Sequence, residues 1–240
     1  MRLLALDTAT EACSVALLTE HGLFSDSVEM GRGHAQHILG MVDRILAQGG
    51  ATLGNLSGIA AGIGPGSFTG VRVSVAVAQG LAFGAGLPVV PVTSLEALAI
   101  EAIDAGAERV LACLDARMDE VYWGCFVAQT PGMLSAVGSA AVGPPAAVRF
   151  PDGGAYGEAA PFQGIGRGFA AYPELYAIPG LLIASDAQGA LPQARAMARL
   201  GAMRLAAGEG LDPEFLEPLY LRNKVAMTEA ERGARRSRDK

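Results

Sequence analysis

The chain has 240 residues, of which 51% are hydrophobic, with a mean hydropathy of +0.33 and a net charge of −6. That length can bury one large core or two modest ones. Residues 1–220 carry 11 basic and 21 acidic side chains, net −10, so the body is a poor surface for nucleic acid, which needs clustered Lys and Arg.

The opening run, Leu3 to Asp7, is a buried strand ending in a carboxylate, followed by Thr8-Ala9-Thr10. Cys13 to Leu18 makes a second strand, His21-Gly22 a turn, and Leu23 to Met30 the third strand of a meander. No signal-peptide pattern precedes them, and no apolar run reaches bilayer-spanning length. An acid closing a first strand before a hairpin begins many phosphate-handling α/β folds; a lone Asp serves equally as a structural cap. Gly31-Arg32-Gly33 then leads into an amphipathic helix with Ile38, Met41, Val42, Ile45 and Leu46 on one face, stopped by Gly49-Gly50. His34 and His37 open this helix. They could share a metal, but helical ligand pairs are usually i, i+4 and a third ligand is missing, so surface or interface histidines are the other reading.

Gly58 to Ile63 is a buried strand, and Gly64-Pro65-Gly66-Ser67-Phe68-Thr69-Gly70 a glycine loop. In the next stretch Val71, Val73, Val75 and Val77 alternate with Arg72, Ser74, Ala76 and Ala78, a strand pattern. Its length, its alanines and the lack of a turn signal before Gly84 predict a helix instead. Ser74, Ala78 and Ala82 would then share a stripe of small residues, on a helix that is deeply buried or built to meet a second helix. Strand, glycine loop and helix is a layout that cradles phosphate. The detailed patterns fail, however: GxxxxGK[ST] meets Val71, the only lysines are Lys224 and Lys240, and GxGxxG fails at Ser67. The alternative is a tight turn with close helix packing.

Val89 to Val92 is another strand, and Thr93 or Ser94 caps a helix over Leu95 to Ala105 with Glu96 in its first turn. Past Gly106, Arg109 to Asp115 repeats the opening theme of apolar strand, terminal Asp and polar turn, and Glu120 to Val127 is a second strand. The echo of Asp7 in Asp115 predicts two related lobes, 1–106 and 107–227. Residues 129–174 predict short strands and long loops, Gly164 to Gly168 a turn near the lobe interface, and Ala187 to Ala207 a helix that could pack back on the first lobe. Pro213 to Ala226 reads as an extended closing segment. Residues 221–240 carry 7 basic and 3 acidic side chains, and 228–240 read as an RNA-touching tail or a solvated end. Cys13, Cys113 and Cys125 stand singly, without CxxC or zinc spacing, as reduced core thiols of a cytoplasmic protein do.

Leu6-Asp7-Thr8-Ala9-Thr10, GPGSFTGVR (Gly64 to Arg72), DARMDEVYWG (Asp115 to Gly124) and PLYLRNKVA (Pro218 to Ala226) together resemble the TsaB (YeaZ) family, over about residues 2–227. The resemblance implies an α/β fold of the actin, Hsp70 and sugar-kinase type (ASKHA) with two RNase H-like lobes, mixed sheets and flanking helices. It implies a non-catalytic subunit that dimerises with the catalytic TsaD and is joined by the ATPase TsaE. TsaD transfers threonylcarbamoyl to an adenosine beside the tRNA anticodon. It implies no cofactor, no membrane, contact with tRNA only through the complex, and a homodimer when the partner is absent. By matching, the subunit interface falls on helices 33–46 and 69–83, with His34, His37, Ile38, Met41, Phe68, Val71, Arg72, Ser74, Val75 and Ala78 as its residues. Asp7, Thr8, Thr10 and Asp115 mark a vestigial nucleotide or metal site. Departures agree: Ala9 replaces the glycine of Asp-x-Gly-Thr, crowding a turn where backbone would meet phosphate, and histidines at i, i+3 rather than i, i+4 are rotated by about 100° around a helix.

Two other readings compete. As a small-molecule kinase or ATPase of the same fold, or a glycopeptidase-like hydrolase, the chain would hold Mg²⁺ between Asp7 and Asp115; no protease spacing appears. As a direct tRNA-binding module it would use the tail. The interface reading expects Phe68, Val71 and Val75 to be exposed and in need of a cover.

Overall fold

The computed structural model describes residues 1–129, 132–151 and 161–222. The tail, 228–240, and the end of the closing segment, 223–226, lie outside them.

β1 (Leu3–Asp7) is buried at every residue because it is central, pairing antiparallel with β2 (Ala12–Thr19) and parallel with β4 (Gly58–Gly62). β3 (Gly22–Glu29) and β5 (Val89–Val92) complete a first sheet of order β3-β2-β1-β4-β5. The second sheet repeats this plan. β6 (Arg109–Arg117), β7 (Glu120–Ala128) and β8 (Leu134–Gly143) form an antiparallel meander, and β9 (Phe162–Ile165) and β10 (Leu181–Ile183) add in parallel, in the order β10-β9-β6-β7-β8. The sequence echo is therefore a structural one, with β1 and β6 as equivalent central strands. The long β8 departs from the expected short strands of 129–174. Gly164 and Ile165 finish β9, so the expected turn starts only at Gly166, beside α4 (Gly168–Ala171).

α1 (His34–Gln48) and α2 (Phe68–Ala85) cover one face of the first sheet, where Leu4, Leu6, Val15, Leu17, Ile59 and Ala61 meet Ile38, Met41, Ile45, Val75, Ala78 and Ala82. α2 settles the strand-or-helix ambiguity. Ser67 caps it by accepting from the Gly70 amide, and Gly86 ends it in the left-handed region. The other face carries α5 (Ala194–Ala206), and α3 (Ser94–Asp104) packs beside α5. α3 begins in a capping box between Thr93 and Glu96. α5 starts at Ala194, seven residues later than expected, just past Pro192; residues Ala187–Gly189 form a separate 3-10 turn.

These two helices lie between the sheets. α5 packs on β1, β2, β4 and β5, and α3 on β6, β7 and β8. Leu3, Ala5 and Ala60 of one sheet and Val110, Ala112 and Phe126 of the other thus belong to one continuous apolar cluster through Leu98, Ile100, Met197 and Leu200. Three arginines of α5 pair with acids of α3: Arg195 with Glu101 at 2.8 Å, Arg199 with Asp104, and Arg204 with Glu96. The outer face of the second sheet, with Leu111, Cys113, Val121, Cys125 and Phe162, packs on Phe169 and Leu175. All three cysteines are buried free thiols.

α2 corrects the expectation of no run long enough for a bilayer, since its 18 residues have a mean hydropathy of 1.3. At 1.5 Å per residue it is about 27 Å long, slightly short of a hydrocarbon core of about 30 Å. Gly70, Val71, Ser74, Val75, Ala78 and Ala82 are sealed against the chain's own sheet rather than lipid. Val75 is only 4% exposed, so Val75→Glu buries an unpaired carboxylate. Urea unfolding should show a loss of more than about 3 kcal/mol or no folded protein; a folded, near-native variant would contradict the packing.

Candidate subunit-contact face and inter-lobe cleft

The glycine loop after β4 lies directly on the first hairpin turn. The Ser67 amide donates to the Ala9 carbonyl at 2.7 Å, and the Thr8 hydroxyl donates to the Gly70 carbonyl at 2.7 Å. A Cβ at Gly66 would collide with the Ala9 carbonyl, and one at Gly70 with the Thr8 carbonyl. The glycines are required because backbone meets backbone. At the N-terminus of α2, where a phosphate-binding loop would hold its anion, the Ser67 amide is taken by the chain's own Ala9 carbonyl, and residues 66–70 line the cleft. Of the two sequence readings of this loop, the packing fits the tight turn.

Asp7 lies beneath this turn and is wholly buried. One carboxyl oxygen accepts from the Ala9 amide at 3.2 Å, and Oδ2 has no partner. Burial pushes its pKa up to about 7, partly offset by the Ala9 and Thr8 amides. Asp7 does not line the cleft, whereas Asp115 does. Asp115 is already engaged: it accepts from the Arg117 amide at 2.7 Å, the Arg117 guanidinium at 2.8 Å and the Tyr172 hydroxyl at 3.2 Å. The two carboxylates are therefore not presented together. Thr10, half-buried on the cleft wall, accepts from the Ala12 amide at 3.3 Å. Among the described residues no three His, Cys, Asp or Glu side chains cluster as a metal site.

The cleft between the lobes has a volume of about 810 Å³. Its walls come from the first hairpin, the start of α1, the start of α2, the β6–β7 tip and residues 219–222. Ion pairs cross it: Arg117 of the second lobe holds Glu11 at 2.5 Å, and Arg167 holds Glu29 at 3.0 Å. No spacing in the sequence connects these four residues. His34 is half-buried here, with Nε2 unpartnered, and His37 is exposed.

The structure corrects the expected contact residues. Ile38, Met41, Val71, Ser74, Val75 and Ala78 face the first sheet and are buried; Ser74 donates to the Leu6 carbonyl at 3.3 Å. Phe68 and Arg72 are exposed, as is His37. The small-residue stripe that faces outward is Ala76, Gly80 and Gly84, flanked by half-buried Val73 and Val77 and by Phe83, which is 79% exposed. A Cβ at Gly80 or Gly84 would meet nothing within 4 Å. Helix-interior glycine costs about 1 kcal/mol relative to alanine, and nothing among the described residues requires it at either place. Gly80 and Gly84, spaced i, i+4 inside an otherwise good helix, are the signal the sequence carries.

Two lobes of one topology joined by a common helical layer define the ASKHA class. A family model described as TsaD, tRNA N6-adenosine threonylcarbamoyltransferase, matches residues 28–230. The chain is 41% identical over 227 residues to the tRNA threonylcarbamoyladenosine biosynthesis protein TsaB of Escherichia coli K12, covering 94% of this chain and 96% of that one. It is 38% identical over 235 residues to TsaB of Haemophilus influenzae, covering 94% and 95%. The solved structure of YeaZ from Pseudomonas aeruginosa superposes with a TM-score of 0.81 at 44% identity, over 92% of this chain and 99% of its own. The chain belongs to the TsaB (YeaZ) family.

Asp7 makes stability depend on pH. The folded state keeps its proton up to about pH 7, while the unfolded chain releases it near 3.8. Its contribution is thus full below pH 3.8 and is lost as pH rises through 7. Urea unfolding of the wild type relative to Asp7→Asn should show the wild type losing ground between pH 4 and 7, by on the order of a few kcal/mol. Parallel curves for the two proteins would contradict a protonated Asp7.

Proposed function

We propose that this chain is a non-catalytic scaffold and activator subunit in the threonylcarbamoylation of tRNA adenosine. It pairs with a TsaD-type catalytic subunit through the outward face of α1 and α2 and helps to recruit a TsaE-type ATPase. Contact with tRNA is made through the complex, in the cytoplasm, and the isolated chain pairs with itself. The observation that carries this reading is the outward stripe of Ala76, Gly80 and Gly84, whose glycines serve no packing among the described residues. Such a stripe suits the close approach of a second helix. The family named above supplies the reaction. The Ser67 amide taken by Ala9 and the carboxylate of Asp115 taken by Arg117 favour a subunit without nucleotide chemistry over the kinase and hydrolase readings.

Mixing the purified chain with its TsaD-type partner should give a one-to-one complex on a sizing column. Gly80→Arg should leave the chain folded, because its side chain enters open space, yet abolish co-elution. A Gly80→Arg variant that still co-elutes like the wild type would exclude this face as the contact, and no complex with the wild type would exclude the scaffold reading.

A further inference from the structure

Among the described residues the lobes meet in two ways. Behind the cleft, the α3–α5 layer joins both sheets in one continuous core. That arrangement resists hinge motion, because opening the lobes would expose packed apolar surface. At the mouth they meet through ion pairs and through the C-terminal segment, which has no regular structure after Phe215 up to residue 222.

This segment is anchored in turn on both lobes. Leu211 exchanges two backbone hydrogen bonds with Val89, of 2.8 and 2.9 Å, and Gln79 of α2 donates to the carbonyls of Pro213 and Leu216. The Leu219 amide donates to the Ile63 carbonyl at 2.8 Å. The Tyr220 hydroxyl accepts from Arg72 Nε at 2.8 Å, while the Arg72 guanidinium sits 3.7 Å over the Phe68 ring, and the two aromatic rings lie 5.9 Å apart. Two residues later Arg222 reaches the second lobe. There it pairs with Glu120 and donates to the Arg117 carbonyl at 3.3 Å.

Arg222 lands on the β6–β7 tip, where Arg117, Met118 and Asp119 all have positive φ, near 60°. Such a conformation costs non-glycine residues about 1–2 kcal/mol each, so the tip stays as it is because its neighbours hold it. Those that hold it include Asp115, through the Arg117 amide and guanidinium, Glu11 of the first lobe, also through Arg117, and Arg222 of the segment.

The geometry points to residues 219–222 as a strap that forms one wall of the cleft and couples the exposed start of α2 to the β6–β7 tip. Whatever covers Phe68 and Tyr220, which are 40% and 47% exposed, bears on Arg72 and the strap, and through Arg222 on the tip. The strap rests on the cleft geometry alone and stands apart from the identity of any partner on α2.

Hydrogen–deuterium exchange on the full chain tests it. Arg222→Ala and Glu120→Ala should each raise exchange several-fold in peptides spanning 114–122, with α3 and α5 unchanged, and the swap Glu120→Arg with Arg222→Glu should bring it back. Tyr220→Phe removes only the hydrogen bond to Arg72, yet it should also raise exchange at 114–122. An unchanged tip in the alanine variants, an equal rise over α3 and α5, or a tip indifferent to Tyr220→Phe would overturn the proposal.

Discussion

The structure depends on the contact between the glycine loop and the first hairpin turn. Two short hydrogen bonds, from Ser67 to Ala9 and from Thr8 to Gly70, fix the end of β1 to the start of α2. Because carbonyls occupy the space a Cβ would need, only glycine is tolerated at Gly66 and Gly70. This contact sets the rotation of α2 about its axis. It turns Val71, Ser74, Val75 and Ala78 onto the sheet and leaves Ala76, Gly80 and Gly84 outside. One interaction thereby takes up the Ser67 amide and aims the outward stripe.

The second constraint is the helical layer shared by both sheets. In an arrangement of two independent lobes, each sheet would have its own core. Here Leu3 and Ala60 of the first sheet and Val110 and Phe126 of the second are buried in the same cluster. The Arg–acid pairs along α3 and α5 are half exposed and add little by themselves; their effect is to fix which residues of the two helices face each other. A frame fastened in this way suits a subunit that presents a surface better than one that must close around a substrate.

Much of this was legible in the chain. β1 and β6 read as strands because both are apolar runs ending in Asp, and their shared place in two equivalent sheets follows from that repeat. α1 was legible down to its buried face, because its other face is polar. α2 was legible as a helix but not in its orientation. It is apolar all round, with Val73, Ala76 and Val77 on one side and Val71, Val75 and Ala78 on the other, so periodicity could not say which side meets the sheet. Ser74 misled for a related reason, since a buried hydroxyl is tolerated once the Leu6 carbonyl accepts from it. The start of α5 was missed although Pro192 marks it. The contact of Arg72 with Tyr220 joins residues 148 apart in sequence, and no local pattern predicts it.

The central claim is that the loop after β4 is tied to the first hairpin turn rather than to an anion, while the outer face of α2 is open for a partner. Amide chemical-shift mapping on the isotope-labelled chain, titrated first with Mg-ATP and then with a TsaD-type subunit, addresses both halves. The account predicts no change at residues 7–10 and 64–70 on adding nucleotide, and broadening or shifts along residues 69–84 on adding the subunit. Saturable nucleotide shifts in the loop, with α2 silent to the subunit, would contradict it.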